Sequence, residues 1–348
     1  MASRRWSPSK ISSANYCGMR WFLEYVKRTP RKRLSFYEKG GFVHEEMAHK
    51  FWDRLGKKYD SPETFKKYSM GKWTSRVIAS ETSENPIIWR DEQEKWIMKA
   101  QIGRLAPVLF DWLQQQGRPV FSELPIKFVF DKIRWDIRLD GVWLHDGIPV
   151  IRDYKTGSPR MGNMRLEYDP QPTSYVLGLS ALAHTSAEIA ELLGLKDEAH
   201  LLMGNGKIIS NKIGIEYVML EDKEDEKPII SVHRGTRNDR HYFELIEMIK
   251  GIEKRHEVGA IYPERGSKCD YCPVKEDCVE YSGRAPLETH NGEQRFFMFS
   301  RPPLYNPVTI NGKTRVYQQR RMSKLYADAR KRASAPSRAA NSEQREAP

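Results

Sequence analysis

The segment 119–157 constrains the fold most, because a strong hairpin signal joins its last two runs of strand-forming residues. It reads PVFSELPIKFVFDKIRWDIRLDGVWLHDGIPVIRDYKTG and is rich in β-branched and aromatic residues. Asp146-Gly147 predicts a two-residue β-turn, in which both central residues have positive φ. The register that follows from this turn places Asp140 directly across from Asp153. We therefore predict a β-meander that brings two carboxylates together at its far end.

The two carboxylates predict a cation between them. Opposed Cβ atoms lie about 4.5–5.5 Å apart, so like charges there destabilise a sheet. Mg²⁺ or Mn²⁺ would remove that repulsion, since both bind carboxylate oxygens. Lys155 shares a strand face with Asp153 and could orient a water or stabilise charge on a phosphate. The alternative is an exposed hairpin end with a salt bridge. Apolar positions are odd before Asp140 and even after it, which predicts a bulge near Gly141.

Helical patterns flank the meander and predict an α/β protein. Residues 38–56 form a predicted helix that starts near Gly40-Gly41 and carries an apolar stripe at a spacing of four. Residues 91–117 predict a second helix with a kink or break near Pro107. Residues 60–90 are polar and support no assignment. Further helices are predicted over 169–194 and 239–259, with two strands between 212 and 235.

Charge is concentrated at the two ends of the chain, whose net charge is +12. Residues 1–33 contain nine Lys or Arg and one Glu, and residues 306–348 contain ten Lys or Arg and three acids. Basic segments favour nucleic acid or an anionic membrane, although a solvated surface is the alternative. No apolar run approaches the roughly 20 residues of a membrane span. The first residues lack a signal-peptide core, so we expect an intracellular protein.

The four cysteines predict a metal site. Three of them form a C-x2-C-x5-C group, and the fourth is distant in sequence: Cys269, Cys272, Cys278 and Cys17. Disulfides are rare in a reducing cytosol, so metal ligation is the better interpretation. Zinc and iron–sulfur clusters both take four thiolates, and the spacing leaves the two open.

Over residues 9–280 the pattern resembles the RecB-like branch of the PD-(D/E)XK nuclease superfamily. Within that branch it is most similar to the iron–sulfur exonucleases that are CRISPR-associated or phage-encoded. The matching features are a strand ending in Asp153-Tyr154-Lys155, an acid ending the preceding strand (Asp140), a histidine opening a helix after glycine (His44), a Gln-x-x-x-Tyr helix (Gln171, Tyr175) and a Glu in an earlier strand (Glu123). The family usually has glycine at the place of Ile137, which leaves Asp136 as an alternative to Asp140; the hairpin register favours Asp140.

The resemblance implies a fold and a domain organisation. It predicts a restriction-endonuclease-like core, in which helices flank a central mixed β-sheet, together with an N-terminal helical region. Residues 1–305 would form one nuclease domain, with a helical insert at about 45–118, the catalytic sheet at about 119–235 and a cluster-binding part at about 240–282. Residues 306–348 would be a basic, disordered tail, as their Arg-, Ala- and Ser-rich composition also suggests.

The resemblance also implies a role for each residue of the pattern. The metal ligands for Mn²⁺ or Mg²⁺ would be His44, Asp140, Asp153 and the carbonyl of Tyr154. Lys155 would position the attacking water, while Gln171 and Tyr175 would orient the lysine or contact the DNA backbone. Glu123 would support the ligands or bind a second metal. The four cysteines would hold a 4Fe–4S cluster that joins the N-terminal and C-terminal segments.

The function implied is a metal-dependent DNA exonuclease that prefers single strands or DNA ends. Its setting would be recombination, repair or CRISPR adaptation in the cytoplasm of a bacterial or phage-infected cell, with a possible protein partner and no membrane. One alternative is a non-catalytic iron–sulfur subunit that binds DNA in a helicase–nuclease complex. Retention of His44, Asp140, Asp153 and Lys155 argues against that subunit. Another alternative is a restriction-type endonuclease, which the distant cysteines make less attractive.

Overall fold

The computed structural model describes residues 4–156, 166–196, 212–222 and 227–282, together with two short strands beyond residue 300. The strands are β1 (Arg5–Trp6), β2 (Arg33–Leu34), β3 (Ile87–Ile88), β4 (Phe121–Phe130), β5 (Ile133–His145), β6 (Ile148–Thr156), β7 (Gly214–Glu221), β8 (Ile229–Gly235), β9 (Thr309–Ile310) and β10 (Lys313–Thr314). The helices are α1 (Pro8–Tyr16), α2 (Gly18–Trp21), α3 (Ser35–Phe42), α4 (Phe51–Arg54), α5 (Pro62–Glu81), α6 (Glu94–Gln116), α7 (Pro170–Thr185), α8 (Ala187–Leu192), α9 (Asp239–Glu257) and α10 (Lys275–Ser282).

Six strands form one mixed sheet, as predicted. Its order is β1-β5-β6-β7-β8, and β4 also pairs with β5. The strands β4, β5 and β6 are antiparallel neighbours, whereas β6 and β7 run parallel and are connected through α7. Strand β8 is antiparallel to β7, and the short β1 is parallel to β5. The parallel pairing of β6 with β7 fits the helical crossover between them, whereas the tight turn from β5 to β6 requires an antiparallel pair.

The Asp-Gly turn forms where the sequence predicts it. Asp146 and Gly147 have φ values of 52° and 77°, which fits a turn that needs positive φ at both positions. The β5–β6 ladder extends from His145 opposite Ile148 to Gly141 opposite Arg152. This is the predicted register over all of the paired positions. Continued by one step past the last pair, it sets Asp140 across from Asp153.

Helices cover both faces of the sheet. On one face α1, α7 and α9 pack into a core with β5, β6 and β7. On the other face α3, α5 and α6 pack around Trp143, Tyr154 and Val218. The contact between α7 and β5 is close, since a Cβ atom on Gly178 would lie 2.0 Å from Ile137 Cδ1. The ends of β5 and β6 that carry the charged residues are therefore held by packing on both faces of the sheet.

The structure corrects two local helix predictions. The helix predicted over 38–56 begins earlier, at Ser35, so Gly40-Gly41 lies inside α3 and His44 does not open a helix. It continues as a π-helical segment, Val43–His49, before α4. Pro107 does not break α6, which runs without interruption from Glu94 to Gln116. The unassigned stretch 60–90 contains α5, which begins behind a capping box at Ser61.

The chain divides into two units, residues 1–281 and 282–348. In the second unit the structure describes only the antiparallel pair of β9 and β10. The predicted domain end at 305 and the rest of the predicted tail at 306–348 lie outside the described residues. None of the helices that the structure describes is both long and apolar enough to cross a lipid bilayer.

Candidate active site

The π-helical segment Val43–His49 places two imidazoles on one side of the helix. In a regular α-helix, residues five apart point about 140° away from each other. A π-helical turn closes hydrogen bonds from i to i+5, so residues at that spacing come into line. The ring centroids of His44 and His49 are 5.7 Å apart. His49 was not predicted from the sequence, because its spacing from His44 does not match an α-helical face.

Both histidines face Asp140. Its Oδ2 atom lies 3.2 Å from His44 Nδ1 and 3.8 Å from His49 Nε2. This oxygen is buried and accepts no hydrogen bond from the residues that the structure describes. Burial alone would raise the pKa of Asp140, but the two imidazoles hold that pKa well below its usual range.

The donor atoms of His44, His49 and Asp140 fit a divalent transition metal. One ligand atom from each lies within 4.8 Å of the others. Two ligands on one cation at about 2.0–2.2 Å sit about 3–3.5 Å apart, close to the separations observed here. Two nitrogens with one carboxylate oxygen suit Mn²⁺ better than Mg²⁺. Asp136 is not part of this group, which supports the choice of Asp140 made from the hairpin register.

An irregularity between β4 and β5 aims Asp140 and Glu123 into the site. The ladder pairs Ser122 with Gly141 and Leu124 with Leu139, but it omits the pair between them. Glu123 has a φ of 52°, which is costly for a residue with a side chain. Leu139 and Val142 also share one core, so strict alternation fails across Gly141. The bulge predicted near Gly141 is wrong, because the ladder keeps the same register on both sides and no extra residue is inserted; the pairing is only interrupted there.

Glu123 contacts His49 rather than Asp140. Its Oε1 atom lies 2.8 Å from His49 Nδ1, and its Oε2 atom lies 3.4 Å from an Arg138 nitrogen. The three side chains Glu123, His49 and Asp140 therefore form a continuous row. Burial lowers the pKa of His49, but the carboxylates of Asp140 and Glu123 outweigh it and raise that pKa overall.

Asp153 and Lys155 emerge together from the end of β6. Asp153 is 1% exposed, and its Oδ2 atom lies 2.8 Å from Lys155 Nζ. Burial and the charge of Asp140 raise the pKa of Asp153 to about 6, against the attraction of Lys155. Lys155 Nζ also lies 5.3 Å from the ring centroid of Tyr217, within cation–π range.

Gln171 joins Asp153 and Lys155 through one amide group. Its Oε1 accepts a hydrogen bond from Lys155 Nζ at 2.6 Å, and its Nε2 donates to Asp153 Oδ1 at 3.0 Å. The same Nε2 donates to the Tyr175 hydroxyl at 2.5 Å, one helical turn away. Asp169 caps α7 by accepting from the Gln171 backbone N–H. The structure thus brings together both predicted α7 residues and the lysine.

Tyr154 points to the opposite face of β6. Its side chain is 2% exposed and packs in the core formed with α3 and α6. Its carbonyl remains a predicted ligand.

The cysteines lie where the two ends of the first unit meet. Cys17 packs with Val274, and Cys272 and Cys278 pack against the same small core. The Glu264 backbone N–H donates to Cys17 Sγ at 3.3 Å. None of the four cysteines forms a disulfide bond among the described residues, and Cys269 lies in the 3₁₀ turn Ser267–Tyr271. The N-terminal and C-terminal segments are therefore in contact at the predicted place.

Comparison with known proteins identifies the family. Residues 5–279 match the sequence model of the PD-(D/E)XK nuclease superfamily. The chain is also similar to the crystal structure of a candidate exonuclease from Eubacterium rectale, at 13% identity, with 77% of this chain and 86% of that chain covered and a TM-score of 0.40. A second similar structure is SSO0001, at 10% identity, with 68% and 95% covered and a TM-score of 0.26. A comparison with curated proteins gives no match. Because the family match spans most of its length, the chain belongs to the PD-(D/E)XK nuclease superfamily.

Proposed function

We propose that the protein is a metal-dependent DNA exonuclease that acts on single-stranded DNA or on DNA ends. The observation that carries the proposal is the amide of Gln171, which holds both Asp153 and Lys155 beside the Asp140 end of the sheet. A subunit that only binds DNA has no need for a lysine fixed in this way. The resemblance to RecB-like exonucleases supports a role in recombination, repair or CRISPR adaptation, together with a protein partner.

The ligands of the cation would be His44, Asp140 and Asp153, with the carbonyl of Tyr154. Mn²⁺ or Mg²⁺ held there would polarise a phosphate and lower the pKa of an attacking water. Asp140 presents an oxygen that accepts no hydrogen bond from the described residues, so it can bind without first breaking one. Asp153 keeps its position through the Gln171 amide.

Lys155 would act on the water and on the phosphate. Its ammonium group is held by Asp153 and Gln171, which leaves it charged and able to donate a further hydrogen bond. A fixed positive charge next to the reacting phosphate stabilises the negative charge that develops during cleavage. Gln171 and Tyr175 fix the lysine, so their role in this proposal is positioning.

The cysteines would hold a 4Fe–4S cluster, with Zn²⁺ as the alternative. The contact between Cys17 and the segment around Val274 supports a structural role for that cluster. It would close a loop of more than 250 residues between Cys17 and Cys269. A brown protein with broad visible absorption supports iron, and a colourless protein that contains zinc supports the alternative.

The test of the proposed function is digestion of end-labelled linear and closed circular DNA, single- and double-stranded, with Mn²⁺ or Mg²⁺. We expect linear DNA to be degraded from its ends and Lys155→Ala to lose activity. A matched control is Lys196→Ala, because Lys196 also pairs with an acid, Glu191, but on the surface. Activity that survives Lys155→Ala would refute the proposal. Cutting of closed circles would indicate an endonuclease, and DNA binding without cutting would indicate a non-catalytic subunit.

A further inference from the structure

His49 is a buried histidine with one ring nitrogen beside Glu123 and the other turned towards Asp140. Its side chain is 3% exposed, its Nδ1 lies 2.8 Å from Glu123 Oε1, and its Nε2 makes no hydrogen bond to the residues that the structure describes. Buried polar atoms are nearly always paired, so such an exception needs an explanation. The π-helical segment turns this ring towards Asp140, beside His44. We propose that His49 is a second imidazole ligand of the active-site cation and gives the site its preference for Mn²⁺ over Mg²⁺.

The direction of the ring supports ligation. His49 Nε2 lies 3.8 Å from Asp140 Oδ2, which is too long for a hydrogen bond. His44 Nδ1 approaches the same oxygen at 3.2 Å. His44 Nδ1, His49 Nε2 and Asp140 Oδ2 therefore face one another as three ligands of one metal ion would. Small movements of the side chains would bring all three atoms to about 2.0–2.2 Å from a shared cation.

Glu123 supplies the group that a ligating histidine requires behind it. The histidines that bind metals donate their other N–H to a carboxylate or carbonyl, which fixes the tautomer and the ring. Glu123 Oε1 lies 2.8 Å from His49 Nδ1, so His49 can donate from Nδ1 and bind metal through Nε2. Glu123 adopts an unfavourable φ of 52°, and this backbone conformation directs its carboxylate towards His49. Glu123 is therefore a positioning residue rather than a ligand.

Two imidazoles change which cation the site prefers. Mg²⁺ favours oxygen ligands and gives up its water reluctantly, whereas imidazole suits first-row transition metals. A site with two nitrogens and one carboxylate should therefore bind Mn²⁺ more tightly than Mg²⁺. The competing explanation is that His49 only links two carboxylates as a structural cation. That role would stabilise the fold but would leave the ratio of Mn²⁺ to Mg²⁺ affinity unchanged.

The experiment is calorimetric titration of the full-length protein with Mn²⁺ and with Mg²⁺, in the absence of DNA. Substitution of a residue that supports a metal ligand costs about 10–100-fold in metal affinity. Loss of a ligand should cost at least as much, so we expect His49→Gln to weaken Mn²⁺ binding by more than about 30-fold. Mg²⁺ binding should change by about threefold or less, because Mg²⁺ relies on the oxygen ligands. His184→Gln is the matched control, since His184 is exposed at the far end of α7. A ratio of affinities within twofold of the wild-type ratio would overturn the proposal.

Glu123→Gln keeps the proposal testable if His49→Gln does not fold. Glu123 is 37% exposed, so its substitution spares the core. It should weaken Mn²⁺ binding about 10–100-fold and lower the affinity ratio in the same direction. An unchanged ratio in Glu123→Gln would count against the carboxylate–histidine–metal arrangement.

A spectroscopic measurement identifies the ligand directly. Electron–nuclear double resonance of bound Mn²⁺, in protein labelled with ¹⁵N-histidine, should show imidazole coupling in the wild type and also in His44→Gln. If His44→Gln still bound Mn²⁺ but showed no ¹⁵N coupling, His49 would not be a ligand of the cation and the proposal would be wrong.

The proposal rests on the proposed metal-dependent function, and the titrations separate the two. Failure of the wild-type protein to bind either cation would refute the proposed function itself. Binding that requires Asp140 but is indifferent to His49 would refute only this inference.

Discussion

Gln171 offers a sharp test of how the site is held, because one amide contacts both charged residues at the end of β6. The substitution Gln171→Met removes the hydrogen bonds to Lys155 and Asp153, together with the one to the Tyr175 hydroxyl, and preserves the length of the side chain. A hydrogen bond to a charged group contributes about 1.5–3 kcal/mol. If the alignment of Lys155 requires one such bond, its loss raises the barrier by that amount and slows cleavage about 10- to 150-fold.

The assay is the initial rate of Mn²⁺-dependent degradation of linear DNA at saturating metal. The matched control is Gln114→Met, an exposed glutamine in α6 that is far from β6 in sequence. Gln171→Glu refines the test: it keeps an acceptor for Lys155, but it places a carboxylate about 3 Å from Asp153, a distance set by the Gln171 hydrogen bond. We expect the Glu variant to be at least as slow as the Met variant, because like charges repel.

A rate for Gln171→Met within twofold of the wild type, with the fold intact by urea unfolding, would refute the reasoning. It would mean that Asp153 and Lys155 align without α7, and that the observed hydrogen bonds only stabilise the fold.

Three further predictions concern the fold that holds the site. Arg152→Ala should lower the free energy of unfolding by about 3 kcal/mol, the low end for breaking a buried ion pair, because Glu216 would keep only Arg234 as a partner. Glu216 should contribute to acid sensitivity: burial raises its pKa, but Arg152 and Arg234 outweigh burial and lower it. The stability from Glu216 is therefore present above the pKa of an unfolded Glu and is lost as the pH falls through the folded pKa, and Glu216→Gln should flatten that decline. Gly178→Ala should cost about 1–3 kcal/mol by overpacking against Ile137, partly offset by the helix propensity of alanine.

Each of these three predictions has a control and a contradicting result, all measured by urea unfolding. The double variant Arg152→Met with Glu216→Gln should recover stability relative to Arg152→Met alone, because no buried charge then remains unpaired and Arg234, which loses Glu216, is exposed to solvent; a loss that simply adds would contradict this. An equally steep acid decline in Glu216→Gln would show that other carboxylates dominate. Ile137→Val removes the Cδ1 atom that a new Cβ would meet, so it should rescue Gly178→Ala; absence of rescue would mean that the clash lies elsewhere.

The sequence was sufficient to predict the hairpin and the end of β6, because local rules act there without competition. Asp146-Gly147 favours only a few turn types, and that turn determines the pairing of every residue from Gly141 to Arg152. Asp140, Asp153 and Lys155 follow from the same register. The mixed sheet and its covering helices were likewise expected from the resemblance, and the structure confirms them.

The other half of the site depends on deviations from regular geometry, which periodicity cannot reveal. His49 lies on the wrong side of an α-helical wheel relative to His44, and only the π-helical turn unites them. Glu123 was predicted as a site residue without a definite partner, because its direction depends on a positive φ that no local signal encodes. A kink or break was predicted near Pro107 because proline removes a backbone donor, yet α6 runs without a break and buries side chains on both sides of the proline.

The five-residue spacing of His44 and His49 makes the proposed pair of ligands depend on the number of residues between them as well as on their identity. If one residue between them were deleted, the histidines would stand four apart, a spacing at which an ordinary α-helix puts both on one face. If one residue were inserted, neither kind of helix would align them. Deletion of one residue between the two histidines would therefore keep both on one side of the helix, whereas insertion of one residue would separate them. A search for the same pair in other chains should accept histidines four or five residues apart, since a search at one spacing would miss the other arrangement.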